Sequence, residues 1–130
     1  MEEYLDAIYK FNEVITLNEQ SYDAKYYTGL AYLLLDKYQD AVQYFSQALL
    51  LDSSQDNIYY NIGVAYKELG KKRQALEAFK QAIAINNSNG YAHFELGKIY
   101  ELILEVELAI NHYKIANKHM SDNELSLHYG

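Results

Sequence analysis

Apolar residues recur along this chain at steps of three and four, in blocks separated by short polar breaks. Between Tyr38 and Leu51 they fall at Ala41, Val42, Phe45, Ala48 and Leu49, which places them on one side of an α-helix. The same rhythm predicts helices over Glu2–Leu17, Tyr22–Leu35, Asp56–Leu69, Lys72–Ile85, Gly90–Ile103 and Val106–Lys118. No proline interrupts them. Ser21 and Asn89 stand where N-caps are needed, each able to accept a hydrogen bond from an amide of the first turn. Gly70 suits the left-handed residue that ends a helix before a tight turn. Two or three residues separate paired helices, so each pair is expected to fold as an antiparallel hairpin.

The blocks themselves repeat. Gly29, Gly63 and Gly97 lie 34 residues apart, and each has a tyrosine three places on: Tyr32, Tyr66 and Tyr100. An alanine follows each glycine after 12 residues (Ala41, Ala75, Ala109), an aromatic after 16 (Phe45, Phe79, Tyr113) and a second alanine after 19 (Ala48, Ala82, Ala116). The small residues let the two helices of a unit approach closely, and the aromatic fills the wedge where the next unit docks. A period of this length, in this small–aromatic–small order, marks stacked helix–turn–helix repeats. Each unit buries its face only against its neighbours, so the chain reads as one solenoid domain.

Ala7, Phe11 and Val14 precede Ala41, Phe45 and Ala48 by the same 34 residues. Residues 1–20 therefore read as the second helix of a truncated unit. Three full units follow at 21–54, 55–88 and 89–122, and 123–130 opens one more first helix. A solenoid usually ends in polar caps, whereas both ends here stop inside a unit, so the expectation is an excised piece of a longer protein. Ala7, Phe11 and Val14 at one end, and Ile115 and Ala116 at the other, are expected to lie uncovered. Apolar surface of that kind associates, and a contact that does not close propagates head to tail.

Composition narrows the function. Half of the 130 residues are hydrophobic, and 15 tyrosines with no tryptophan supply much of the bulk. These are core residues first, with hydroxyls that need a partner or water. A net charge of −7, from 18 acidic and 11 basic residues, leaves no basic stripe for nucleic-acid phosphates. The absence of cysteine excludes disulfides, thiolate catalysis and zinc–thiolate sites. The longest apolar run is too short for a membrane span, and Met1 leads into acidic residues without a signal-peptide pattern; a cytoplasmic location is expected. His93, His112, His119 and His128 are expected to face solvent, because His112 and His119 lie seven apart with no acidic or cysteine ligand at helical spacing between them. Gly70-Lys71-Lys72 lacks the upstream glycine and the Ser/Thr of a phosphate-binding loop. Asn86-Asn87-Ser88 matches the glycosylation acceptor pattern and reads as a helix-ending polar turn. No catalytic constellation, metal site or cofactor site emerges, and no enzyme activity is expected.

On the 34-residue period and the residues that carry it, the chain resembles the tetratricopeptide-repeat family over nearly its whole length. The resemblance implies an all-α fold, a right-handed superhelical solenoid of antiparallel helix pairs. It also implies that first helices line a concave groove gripping an extended peptide or a partner helix. The proline usual after the second helix is replaced by Glu19, Ser53, Asn87 and Ser121. The bulky aromatic usual four residues before the glycine is Lys25, Tyr59 and His93 in successive units. The last unit shows Ile103-Leu104-Glu105-Val106 where Leu69-Gly70-Lys71-Lys72 stands one unit earlier, which exposes apolar residues at a turn.

Carried onto this chain, the resemblance places Tyr26, Tyr60 and Phe94 at equivalent inward positions, as an aromatic ladder. Tyr27, Asn61 and Glu95 lie beside them, and Leu30, Val64 and Lys98 follow a turn later. Asn61 stands where family members often place an asparagine whose amide bonds the peptide backbone in both directions. The competing reading makes Tyr26, Tyr60 and Phe94 packing between adjacent first helices. One subfamily binds the C-terminal carboxylate of chaperones through lysines, arginine and asparagines. Only Asn61 matches that set, with Tyr26, Tyr91 and Glu95 in the basic places, so this partner class is disfavoured. The expected function is a protein–protein interaction scaffold presenting an aromatic-lined groove. The alternatives are the adaptor region of a larger enzyme with catalysis elsewhere, and a structural segment that self-assembles.

Overall fold

Six helices make up most of the described residues of the computed structural model: α1 (Tyr22–Leu34), α2 (Tyr38–Leu51), α3 (Asp56–Glu68), α4 (Lys72–Ile85), α5 (Gly90–Leu102) and α6 (Val106–His119). The described residues are 21–103 and 105–120, with Asp6 and Tyr9. The helix expected at Glu2–Leu17 and the turns after 122 lie outside them, as do Ala7, Phe11, Val14 and His128. The helices pair as α1 with α2, α3 with α4 and α5 with α6, and successive hairpins dock through α2 on α3 and α4 on α5. The expected helix ends agree with the observed ones to within one residue.

Local chemistry explains the boundaries. The Ser21 hydroxyl accepts a hydrogen bond from the Ala24 amide at 3.1 Å, and the Asn89 side-chain Oδ1 accepts one from the Ala92 amide at 2.9 Å, so both caps act as expected. Gly70 closes α3 at φ 77°. One unit earlier Asp36 takes the equivalent place at φ 60°, a conformation aspartate tolerates better than most residues. The Tyr38 hydroxyl donates to its carboxylate at 2.8 Å.

The repeat glycines have a sharper purpose than close helix approach. A Cβ on Gly29, Gly63 or Gly97 would come 2.6, 2.6 or 2.7 Å from a ring atom of Phe45, Phe79 or Tyr113. The aromatic of each unit therefore sits over the glycine of its own hairpin. Phe45 also packs with Ile58 and Ile62 of the following unit, so one ring joins hairpin and wedge. The paired alanines around it are buried.

A second periodic contact varies from unit to unit. Tyr32 stacks on Tyr44 with ring centroids 5.3 Å apart, and Tyr100 stacks on His112 at 5.4 Å. In the middle unit the corresponding residues are Tyr66 and Ala78, and a cavity of about 520 Å³ opens beside them, bordered also by Leu49 and Tyr59.

The expectation of an uncovered Ala116 is corrected. It is fully buried, clustered with Phe94 and Met120, because it is the second repeat alanine and faces its own hairpin; Ile115 is half-buried. The α5–α6 turn does expose apolar side chains, with Leu102, Ile103 and Val106 between 58% and 72% accessible.

Candidate functional site

The first helices α1, α3 and α5 carry the candidate residues, and their inner and outer sides behave differently. Tyr26, Tyr60 and Phe94 each meet the repeat aromatic of their own unit, with centroid distances of 5.8 Å to Phe45, 5.8 Å to Phe79 and 5.6 Å to Tyr113. Each lies three residues before its glycine, on the same helix face, so the ring that covers the glycine reaches it too. Tyr26 is buried, Tyr60 half-buried and Phe94 only 1% exposed. Tyr26 and Phe94 are therefore core residues rather than members of the inward-facing ladder expected of them.

What the first helices do expose is a neighbouring set. Tyr27 is 47% and Tyr91 38% exposed. The Tyr60 ring lies 5.8 Å from Tyr91, and Leu30 and Val64 are half-buried. Tyr22, Tyr26 and Tyr27 border a cavity of about 400 Å³ with Asp23, Asp52 and Asn57. Asn61 is half-buried, and its Nδ2 donates both to the Tyr26 hydroxyl and to the Asn57 carbonyl, each at 3.0 Å. Both amide hydrogens are thus used internally. The two-way peptide bond expected of Asn61 reduces to its Oδ1, an acceptor. Burial, then the neighbouring Tyr26, pushes the Tyr22 hydroxyl up to about 12. Burial, then Glu95, raises that of Tyr60. These phenols stay neutral near pH 7 and act as hydrogen-bond donors.

Glu95, expected to face a ligand, is 2% exposed. Lys67 Nζ lies 2.8 Å from its Oε2, and Lys98 pairs with Oε1. Burial pushes the carboxyl up, but hydrogen bonds and charge from Lys67 and Lys98 outweigh it and hold the group below its ordinary range. The Lys98 ammonium also sits 4.9 Å from the centroid of Phe94, a cation–π contact. Sequence reading did not single out Lys67, although it stands on the same first helix one turn beyond Val64.

His93 corrects the expectation of solvent-facing histidines. It is 2% exposed, because it fills the aromatic place four residues before the glycine that Tyr59 holds one unit earlier. Its Nε2 lies 2.9 Å from the Asn87 carbonyl, which only accepts, so neutral His93 carries its proton there. Its Nδ1 then accepts from His112 Nδ1–H at 2.8 Å. Burial, against the Asn87 hydrogen bond, lowers the His93 pKa; burial and then His93 lower that of His112. The unfolded state therefore takes up protons first. Stability from the pair is complete above about pH 6.5 and falls as the pH drops through that value. Replacing His93 with tyrosine is expected to flatten this limb, read as the urea midpoint between about pH 7 and pH 5. Among the described residues no three histidine, aspartate or glutamate side chains converge as metal ligands.

Two family models match parts of the chain that contain the glycine–tyrosine period. A tetratricopeptide repeat model matches residues 57–89, and a TPR repeat model matches residues 29–70. The chain is a tetratricopeptide-repeat protein. Comparison with curated proteins gives no match. Among solved structures, this tetratricopeptide-repeat protein is similar to a crystal structure of MamA at 27% identity and TM-score 0.82, over 89% of this chain and 68% of that one. A second crystal structure of MamA protein matches at 27% identity and TM-score 0.79, over 89% and 63%. MamA from Desulfovibrio magneticus RS-1, spanning 41 to the end, shares the fold at 20% identity and TM-score 0.81, over 91% and 67%. This chain thus spans 63% to 68% of the length of these structures. Tetratricopeptide-repeat domains generally mediate protein–protein interaction and are typically non-catalytic scaffolds. Among the described residues, no helix of this tetratricopeptide-repeat protein is long and apolar enough to cross a membrane.

Proposed function

We propose that the chain is an interaction scaffold that holds an extended peptide or a partner helix along the exposed side of α1, α3 and α5. The observation that carries this reading is the row of phenols and amides that reaches the surface, Tyr27, Asn57, Asn61 and Tyr91, with Tyr60 behind it. Tyrosine offers a large, rigid, amphipathic contact at low entropic cost, and such anchors carry much of the energy of protein interfaces. The Asn61 Oδ1 accepts from a peptide N–H, and the Tyr22 hydroxyl, buried without a hydrogen-bond partner among the described residues, suits a polar ligand atom. Tyr26 and Phe94 support this row from within the hairpins.

The test is a Tyr27→Ala/Tyr91→Ala double variant, compared with the parent in partner capture and thermal unfolding. Capture is expected to weaken by about tenfold or more, while stability changes by roughly 0.5 kcal/mol per site. Unchanged affinity with a lowered unfolding temperature would assign these rings to packing instead.

The exposed Leu102, Ile103 and Val106 favour a second reading, self-association at the turn of the last unit. It requires molar mass by light scattering to rise with protein concentration.

A further inference from the structure

Four of the 11 basic residues of this acidic chain border one pocket. Lys67 closes α3, Lys72 and Arg73 open α4, and Lys98 projects from α5. The pocket encloses about 520 Å³ between the second and third full units, with Leu76, Ile99 and Leu102 among its apolar lining. Its one carboxylate, Glu95, is buried and already bound by Lys67 and Lys98. Among the described residues Lys72 and Arg73 have no ion-pair partner. The lining therefore carries four cations against one spent anion, in a molecule of net charge −7. A solvated surface does not require those cations to ring an apolar floor.

The geometry points to a second recognition site here, for an acidic peptide segment of a partner protein that inserts one large apolar side chain between flanking carboxylates. The inference rests on the scaffold reading and adds to it a site and a chemistry. The volume falls within the range of sites that enclose a small ligand or an anchoring side chain. Leu76, Ile99 and Leu102 receive the apolar anchor, and Lys72 and Arg73 meet the carboxylates at the rim. Arginine adds a planar fork that matches a carboxylate in two contacts. Complementary rim charge speeds encounter and selects the partner, whereas the desolvated anchor sets the residence time. This pocket lies towards the C-terminal ends of α3 and α5. The tyrosine row starts from their N-terminal halves, so the two sites are separable by mutation.

The probe is a fluorescein-labelled peptide in which leucine and phenylalanine are flanked by glutamates, followed by fluorescence anisotropy. Lys72→Glu/Arg73→Glu, at two exposed positions, is expected to weaken binding about tenfold or more, with helicity by circular dichroism unchanged. Leu102→Ser, also exposed, is expected to weaken it independently of salt. Raising ionic strength from about 0.1 M to 1 M shortens the screening length from about 10 Å to 3 Å and is expected to weaken the parent complex but not the charge-reversed one. A probe with glutamines in place of glutamates is expected to bind the parent no better than the charge-reversed variant. Equal binding by parent and Lys72→Glu/Arg73→Glu would overturn the proposal. If that binding is instead lost in Tyr27→Ala/Tyr91→Ala, the site falls while the scaffold reading stands. Failure of every acidic probe, preference for an oligothymidine strand, or Lys72-dependent self-association without peptide binding would each overturn it as well.

Discussion

Truncation of Phe79 to alanine is expected to cost about 3–5 kcal/mol of folding stability, the range for a large aromatic removed from a core that only partly collapses. The ring is fully buried and packs with Ala75, Ala82, Ala92 and Leu96, so it joins its own hairpin to the next unit. The more informative measurement is the coupling to Gly63. A methyl group there would stand 2.6 Å from Phe79 Cε1, and Gly63→Ala alone is expected to lose about 1–3 kcal/mol to overpacking. The better helix propensity of alanine, about 1 kcal/mol, offsets part of that loss. In the double variant the methyl enters space the ring has vacated. The summed losses are then expected to shrink by about 0.5–3 kcal/mol in a double-mutant cycle followed by urea denaturation. Strict additivity would mean that ring and glycine do not meet.

The Lys67→Met/Lys98→Met variant is expected to lose about 3–5 kcal/mol near pH 7, because it strands a buried carboxylate. Both lysines are about one-third exposed, at 36% and 33%, which places the loss towards the lower end. Its pH dependence is expected to reverse. In the parent the Glu95 pKa lies below its ordinary range, so this stabilisation is complete above about pH 4.3 and is lost as the pH falls through the native value. Without the ammonium groups burial alone acts, and the native pKa rises above the unfolded one. The variant then loses stability as the pH climbs through that raised value, and recovers relative to the parent on acidification. Urea midpoints across the acid range, with Glu95→Gln added to the variant as control, read the effect. A pH profile parallel to that of the parent would show that Lys67 and Lys98 do not set the charge state of Glu95.

Features decided within a few residues were legible in the sequence. Ser21, Asn89 and Gly70 announced helix ends by their own chemistry, and the glycine–aromatic period gave the hairpins. The side of a helix that faces a groove was harder to read, because it depends on the depth of neighbouring elements. Phe94 and Glu95 occupy places equivalent to Tyr60 and Asn61, yet they are more deeply buried, Phe94 against Ala116 and Met120 and Glu95 beneath two lysines. The pairing of Lys67 with Glu95 joins residues 28 apart, which no local rule anticipates. His93 was within reach, since the repeat placed it in register with Tyr59.

The unequal fillings opposite Tyr32, Tyr66 and Tyr100 bear on how the chain finds its native pairing. Near-identical helices offer each first helix several plausible mates, and mispaired units are a characteristic trap for repeat proteins. A stacked tyrosine in one hairpin, an alanine beside a cavity in the next and a histidine in the last give each first helix a different complement. If α1 docked on α4, Tyr32 would meet an alanine and forfeit its stack on Tyr44. If α5 docked on α2, His93 would lose the imidazole of His112. Departures from the consensus thus act as address labels, raising the energy of shuffled hairpins relative to the ordered stack.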